Sequence, residues 1–124
     1  EGPDELNYLL RYSDVLVNNF STMGLEAAIC DLPTIHVGYD AYTFGVKFGV
    51  TTGFQQRMTH NRRPMRLNAS KVAKSEQELL GYIEQYLANR SLDRDARRDY
   101  AIAECGEMDG QATSRLIKMI KSRM

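Results

Sequence analysis

Apolar positions along the 124-residue chain fall into three short continuous runs and five stretches with helical spacing. The first helix is expected from about Pro3 to Arg11, with Leu6, Leu9 and Leu10 as its apolar stripe. Pro3 suits a first helical turn, where its missing N–H costs nothing. Val15-Leu16-Val17 is a β-branched run that reads as a strand buried on both faces. Ser21 or Thr22 can cap a helix running to about Cys30 or Asp31. Pro33 cannot extend that helix, and Thr34-Ile35-His36-Val37 forms the next strand. Strand, helix and strand in so short a span make a βαβ unit, with parallel strands and a right-handed crossover.

Residues 38–70 resist assignment: four glycines and five aromatic residues alternate without a clear period. A loop this long is uncommon in a compact domain and is often functional. Lys71-Val72-Ala73-Lys74 is a candidate third strand. Ser75 and Glu78 fit a capping box, and Leu79, Leu80, Ile83, Tyr86 and Leu87 follow at helical spacing. A further helix spans about Ser91 to Cys105, with Leu92, Ala96, Tyr100 and Ala103 on one side. The last begins near Asp109 and carries Ala112, Leu116, Ile120 and Met124 four apart. These helices are expected to pack on the sheet or on a partner lobe.

Composition narrows the class. Apolar residues at 43% and charged residues at 26% are ordinary for a folded domain and argue against disorder. No apolar stretch approaches the ~18 residues of a membrane span. Two cysteines, Cys30 and Cys105, lack metal or CxxC spacing and are expected as reduced cytoplasmic thiols. The formal charge is zero, which excludes a generally basic nucleic-acid binder. Yet residues 1–40 carry −6, residues 41–75 carry +7 with no acid, and residues 76–124 carry −1. The basic block is either a solvated loop or one wall of an anion site.

Chemistry concentrates in Asn18-Asn19-Phe20-Ser21-Thr22-Met23-Gly24-Leu25-Glu26. A strand running into a turn and a helix is where parallel α/β sheets bind ligands. The helix start offers N–H groups to a phosphate, Ser21 and Thr22 add hydroxyls, and Gly24 permits close approach. Ordinary capping by Ser21 or Thr22 is the simpler alternative. Glu26 stands five residues after Ser21 and four after Thr22, so it is not the carboxylate of a capping box. In so apolar a helix it is expected to be buried and to need a partner, such as the hydroxyl pair of a ribose. The absence of GxGxxG disfavours a dinucleotide-binding domain.

The run from Ser13 to Ala28, followed by Leu32-Pro33-Thr34-Ile35, resembles the C-terminal lobe of GT-B glycosyltransferases, whose pattern is "aDvvi…ST…EA…g.P.i". Glu107-Met108-Asp109-Gly110-Gln111-Ala112-Thr113-Ser114-Arg115-Leu116-Ile117 resembles the "DG.as.ri" ending of bacterial surface-polysaccharide and CDP-glycerol transferases. The resemblance implies an α/β fold: a partial Rossmann-like parallel sheet with flanking helices, the GT-B C-lobe with its early strands missing. It implies one nucleotide-diphosphate-binding lobe over residues 1–124, a fragment of a larger two-lobe enzyme and not expected to be active alone. Ser21 and Thr22 would meet the diphosphate of a UDP- or CDP-linked donor, and Glu26 the ribose or donor sugar. The reaction implied is sugar transfer in surface-polysaccharide synthesis, with the acceptor base on the absent N-lobe. CDP-glycerol glycerophosphotransfer and sugar-nucleotide 2-epimerisation share the architecture, and a non-catalytic C-lobe subunit docking to a partner lobe is the other alternative. No cofactor, metal or nucleic acid is expected; a cytoplasmic location is, with peripheral membrane association of the full enzyme as a further expectation.

Within the basic block, Arg57, Arg62 and Arg63 are candidate phosphate clamps, because guanidinium matches phosphate in paired hydrogen bonds. His60 lies among them, where neighbouring cations favour its neutral form; it is a candidate donor to the leaving diphosphate. His36 stands near the end of its strand, either as a satisfied core histidine or facing the ligand cleft. No histidine or cysteine pair has zinc spacing, and no Gly-x-Ser-x-Gly elbow is present.

Overall fold

The structure, a computed structural model, describes residues 3–39, 41–43, 46–48 and 58–124, with side chains for residues 5–39, 58 and 61–124. The chain runs through α1 (Pro3–Tyr12), β1 (Leu16–Asn18), α2 (Met23–Ile29) and β2 (Thr34–Val37). It continues through β3 (Ala41–Thr43), β4 (Val46–Phe48), α3 (Thr59–Arg66) and β5 (Lys71–Ala73), then α4 (Glu76–Ala88), α5 (Arg94–Cys105) and α6 (Ala112–Lys121). Three strands form a parallel sheet in the order β1-β2-β5, with Val17 beside Ile35 and His36 beside Val72. The expected βαβ unit is therefore present, and so is the third strand. The chain is a mixed α/β protein with a small open parallel sheet and flanking helices.

Residues 38–70 are not one long loop. They hold the antiparallel pair β3–β4 and the helix α3. Alternating aromatic residues and glycines gave no helical period there, yet suit a short hairpin.

Strand alternation sorts the core. Ile35 and Ala73 point to one face and pack with Tyr86 of α4. Leu16 points to the other face, where it meets Leu10, Ala27 and Leu32 of the α1–α2 layer. Ala28 of α2, Ala69, and Tyr100 and Ala101 of α5 form the neighbouring cluster. Small residues at 27, 28, 69 and 101 let these helices approach closely.

Three expectations are corrected. The first strand is not buried on both faces: β1 is a sheet edge and Val17 is 41% exposed, because α4 covers β2 and β5 and not β1. The buried face of α5 is Arg97, Tyr100 and Ala101; of the expected stripe Tyr100 is buried, Leu92 and Ala96 are half-buried and Ala103 is exposed. The last helix packs on nothing among the described residues; every residue from 102 to 124 is exposed, Leu116 and Ile120 included.

Left-handed backbone marks the element ends. Asp31 after α2, Asn68 after α3 and Asp93 before α5 all have φ near +55°. Asp and Asn tolerate that region better than most residues. Ser75 caps α4 as expected, accepting from the Glu78 N–H at 3.1 Å. Glu78 reaches back one residue further than a capping box requires, to the Lys74 N–H at 2.9 Å.

A polar network ties the C-terminal helices to the sheet. The Arg97 side chain is 1% exposed. It donates to Asp31 Oδ1 from Nε at 3.2 Å and from Nη2 at 2.8 Å, and to the carbonyls of Leu92 and Arg90. Arg94 donates to the other Asp31 oxygen at 2.7 Å. Beside it, Asp93 accepts from the Tyr86 hydroxyl and from Lys71, both at 2.9 Å. Burial and that aspartate hold the Tyr86 phenol well above its ordinary range.

Candidate functional site

Between α2, α3, α5 and the sheet lies a cavity of about 100 Å³. Ser21, Thr22 and Gly24 contribute its α2 side, His36 its floor from β2, and Ser70 and Glu104 its far side. Ser21 and Thr22 follow directly on β1, so the cavity opens where a parallel sheet is expected to bind ligands.

Local sequence builds the turn at its mouth. Phe20 is buried, 5% exposed, with φ +53°, a costly conformation for a bulky residue. Its ring stacks on His36 at 4.8 Å between centroids and 6° between planes. The stack and burial hold the strained residue in place. The turn then enters α2 with helical backbone already at Thr22. Gly24 and Leu25 donate to the carbonyls of Ser21 and Thr22 at 3.0 and 2.9 Å.

His36 is the best-defined group. It is 4% exposed, and its Nδ1 makes a short hydrogen bond with Asn18 Oδ1. An amide oxygen only accepts, so Nδ1 carries the proton and Nε2 keeps its lone pair. Burial lowers its pKa to about 4, so the ring is neutral at pH 7. Both alternatives open for His36 are met at once: it is a satisfied buried histidine and it lines the cavity.

Ser70 contrasts with it. Its hydroxyl oxygen is buried and has no hydrogen-bond partner among the described residues. Asn18 Nδ2 shares that condition. Buried polar atoms of this kind are few in folded proteins, and each calls for an explanation.

The predicted residues divide. Ser21, Thr22 and Gly24 line the cavity. Ser21 also performs the local capping that was its simpler alternative, its Oγ accepting from the Met23 N–H at 3.3 Å; the Thr22 hydroxyl makes no capping bond. Gly24 serves the protein's own packing. A Cβ there would lie 3.3 Å from His36 Cε1 and 3.5 Å from Asn18 Nδ2.

Glu26 is exposed, against the expectation of burial, and does not line this cavity. It sits in a separate groove with Leu6, Asn7, Ile29 and Cys30, because the apolar helix buries only Ala27 and Ala28 fully and turns Glu26 towards α1. Arg63 lies on the exposed side of α3 and pairs with Glu104 at 2.9 Å, also donating to the Ala103 carbonyl at 3.2 Å. Arg62 is exposed on the same helix. Arg57 and the His60 side chain lie outside the described residues.

Ser70 and Glu104 were not anticipated, and Asn18 and Phe20, though within the Asn18–Glu26 run, had no role assigned. For Asn18 the signal was its place at the end of a strand, directly opposite His36 in the register. Ser70 and Glu104 left no local signal, since only packing brings them to α2. Among the described residues no cluster of His, Cys, Asp or Glu has the grouping of a metal site, and no helix is long and apolar enough to cross a membrane. Cys30 and Cys105 are free thiols.

Gly24 supplies a direct check on this geometry. An exposed helical Gly→Ala change gains about 0.5–1 kcal/mol. Here His36 cannot yield, being held by Asn18 and Phe20. Gly24→Ala is expected to lower stability by about 1 kcal/mol, and Gly24→Val by about 2–3 kcal/mol. Urea unfolding followed by circular dichroism measures both; a stabilised Gly24→Ala protein would show that His36 is free to move.

The fold and site define an α/β protein with a small cavity of mixed polar and apolar lining beside the strand–helix turn after β1. Scans of protein-family models, curated proteins and solved structures gave no match for the chain.

Proposed function

We propose that the chain is the donor-binding lobe of a GT-B-type glycosyltransferase, holding the diphosphate of a UDP- or CDP-linked donor at Ser21 and Thr22. One observation carries this reading. The cavity opens at the carboxyl end of β1 and beside that of β2, against Ser21, Thr22 and a buried neutral His36. In open α/β sheets that is the ligand crevice. The resemblance of the Ser13–Ala28 run to such lobes agrees with this placement.

In this role the lobe stabilises charge as it builds on the leaving diphosphate. The Thr22 hydroxyl, which makes no capping bond, and the Arg62 guanidinium supply a hydrogen bond and a positive charge to the diphosphate as the bond breaks. The acceptor and its base belong to another lobe. Glycerophosphotransfer from CDP-glycerol, or epimerisation of a sugar nucleotide, would use the same diphosphate contacts.

Calorimetric titration with UDP and CDP tests the reading. Thr22→Ala and Arg62→Ala are each expected to weaken nucleotide binding about tenfold, the worth of one charge-assisted hydrogen bond. Unchanged affinity in both variants would remove the diphosphate from this position.

A second reading has its own observation. Leu6, Tyr8 and Leu9 of α1, Val17 of β1 and the apolar side of α6 are all exposed. Such faces suit a lobe that docks to a partner without taking part in the chemistry. Nucleotide binding separates the two. In the transferase reading the chain binds UDP or CDP and Thr22→Ala weakens that binding. In the docking reading the chain binds neither nucleotide and co-purifies with its partner lobe.

A further inference from the structure

His36 meets the turn after β1 at three places. Its Nδ1 donates to the side-chain oxygen of Asn18, the last residue of β1. Its ring stacks on Phe20 at 4.8 Å between centroids, with 6° between the planes. Gly24 packs on it so closely that a Cβ there would lie 3.3 Å from Cε1. Asn18 and Phe20 precede Ser21 and Thr22, and Gly24 follows them. The crest of the turn is therefore held from beneath at both ends by one side chain. That side chain is itself a firm base, since His36 is 4% exposed and stands in β2, the central strand of the sheet.

The turn needs such a base. Phe20 has φ +53°, a region that a bulky residue keeps only where its surroundings over-determine it. Thr22 has no anchor of its own, because its hydroxyl makes no capping bond. Its place is set by the residues on either side of it, and those residues are set by His36.

We propose that His36 is a positioning residue: clasped by Asn18 and Phe20, it fixes the turn so that the Thr22 hydroxyl stands ready for the ligand. The proposal rests on the donor-binding reading for what that ligand is. It goes beyond that reading in giving Asn18, Phe20 and His36 one joint role that is exerted through Thr22.

Two substitutions open the clasp from different sides. Asn18→Ala frees the imidazole. It also removes an Nδ2 that is buried without a partner among the described residues, which offsets part of the cost to the fold. Phe20→Gly removes the stack, while glycine takes φ +53° without steric cost. Titration calorimetry with UDP and CDP is run on each variant, alone and combined with Thr22→Ala, at a temperature where circular dichroism shows the chains folded. Each single change is expected to weaken binding about fivefold, the worth of one well-placed hydrogen bond. In the Thr22→Ala background each should change nothing further, because the contact that the clasp serves is already gone. A change that only loosened the fold would lower affinity equally in both backgrounds. Nitrogen-15 relaxation of the ligand-free protein gives an independent readout. The Thr22 amide should have an order parameter near 0.85 in the natural chain and below about 0.6 in both variants.

Losses of affinity that persist in the Thr22→Ala background would overturn the proposal. Unchanged affinity in both single variants would do so too, as would a Thr22 amide as ordered in them as in the natural chain. All three results leave the donor-binding reading standing. If neither UDP nor CDP binds the natural chain, that reading fails, and the role assigned to His36 in ligand binding falls with it.

Discussion

Asp31→Asn is expected to destabilise the protein by about 3 kcal/mol, out of the ~5–15 kcal/mol that hold an ordinary domain together. The change removes one charge and almost no volume. It strands the Arg97 guanidinium, which is 1% exposed and otherwise meets only the carbonyls of Leu92 and Arg90. Breaking a buried ion pair from one side costs about 3–5 kcal/mol, since the remaining charge stays out of water. The lower end applies here, because the Asp31 side chain is itself 41% exposed.

Asp31→Ala should cost about 1 kcal/mol more, because Asp31 sits at φ +54°, where alanine is strained and asparagine is not. Arg97→Lys should cost about as much as Asp31→Asn: an ammonium cannot span the carboxylate and two carbonyls at once. Urea midpoints at pH 7 give all three values. A loss under 1 kcal/mol for Asp31→Asn would mean that Arg97 is solvated in the folded protein. The network joins the residue after α2 to α5, which also carries Tyr100 and Glu104 to the cavity. Loosening it should therefore weaken ligand binding as well as the fold.

The second large effect is acid sensitivity through His36. Its pKa is about 4 in the folded chain and about 6.5 when unfolded, so the folded state resists protonation. Above pH 6.5 both states hold a neutral ring and nothing is lost. Between pH 6.5 and 4 the unfolded chain takes up a proton that the folded chain refuses. Stability thus falls as pH falls across that window, by about 2 kcal/mol at pH 5 and about 3 kcal/mol near pH 4. Below the folded pKa both states are protonated and the loss levels off.

His36→Gln removes the titrating group. The difference in unfolding free energy between the natural protein and this variant should shrink by about 2 kcal/mol from pH 7 to pH 5. A difference that stays constant with pH would show that His36 is solvated.

Much of the frame is readable in one dimension. The β-branched run at 34–37, the proline before it and the small apolar residues between the first two strands leave a βαβ unit as the consistent arrangement. The Ser75 cap is legible because capping is a local contact. The hairpin β3–β4 and helix α3 were not legible, since short elements with mixed spacing carry no dominant period. Glu26 misled for a related reason. An apolar helix reads as buried all round, but α2 packs against the sheet, α1 and α5 and leaves Glu26 in an open groove beside α1. Arg97 misled in the opposite sense: a charge on a helix reads as solvent-facing until a carboxylate and two carbonyls are found around it.

By itself the sequence determined the α/β class, the parallel βαβ unit of β1 and β2, and the turn at Ser21 and Thr22. These rest on periodicity, capping and backbone preference, which act over a few residues. The place of β5 beside β2 came from the tertiary structure. Tertiary structure alone decided that His36 is neutral, that its tautomer is fixed by Asn18, and that Ser70 and Glu104 share its cavity. Burial and long-range packing set all three, and neither leaves a mark at the spacing of neighbouring residues.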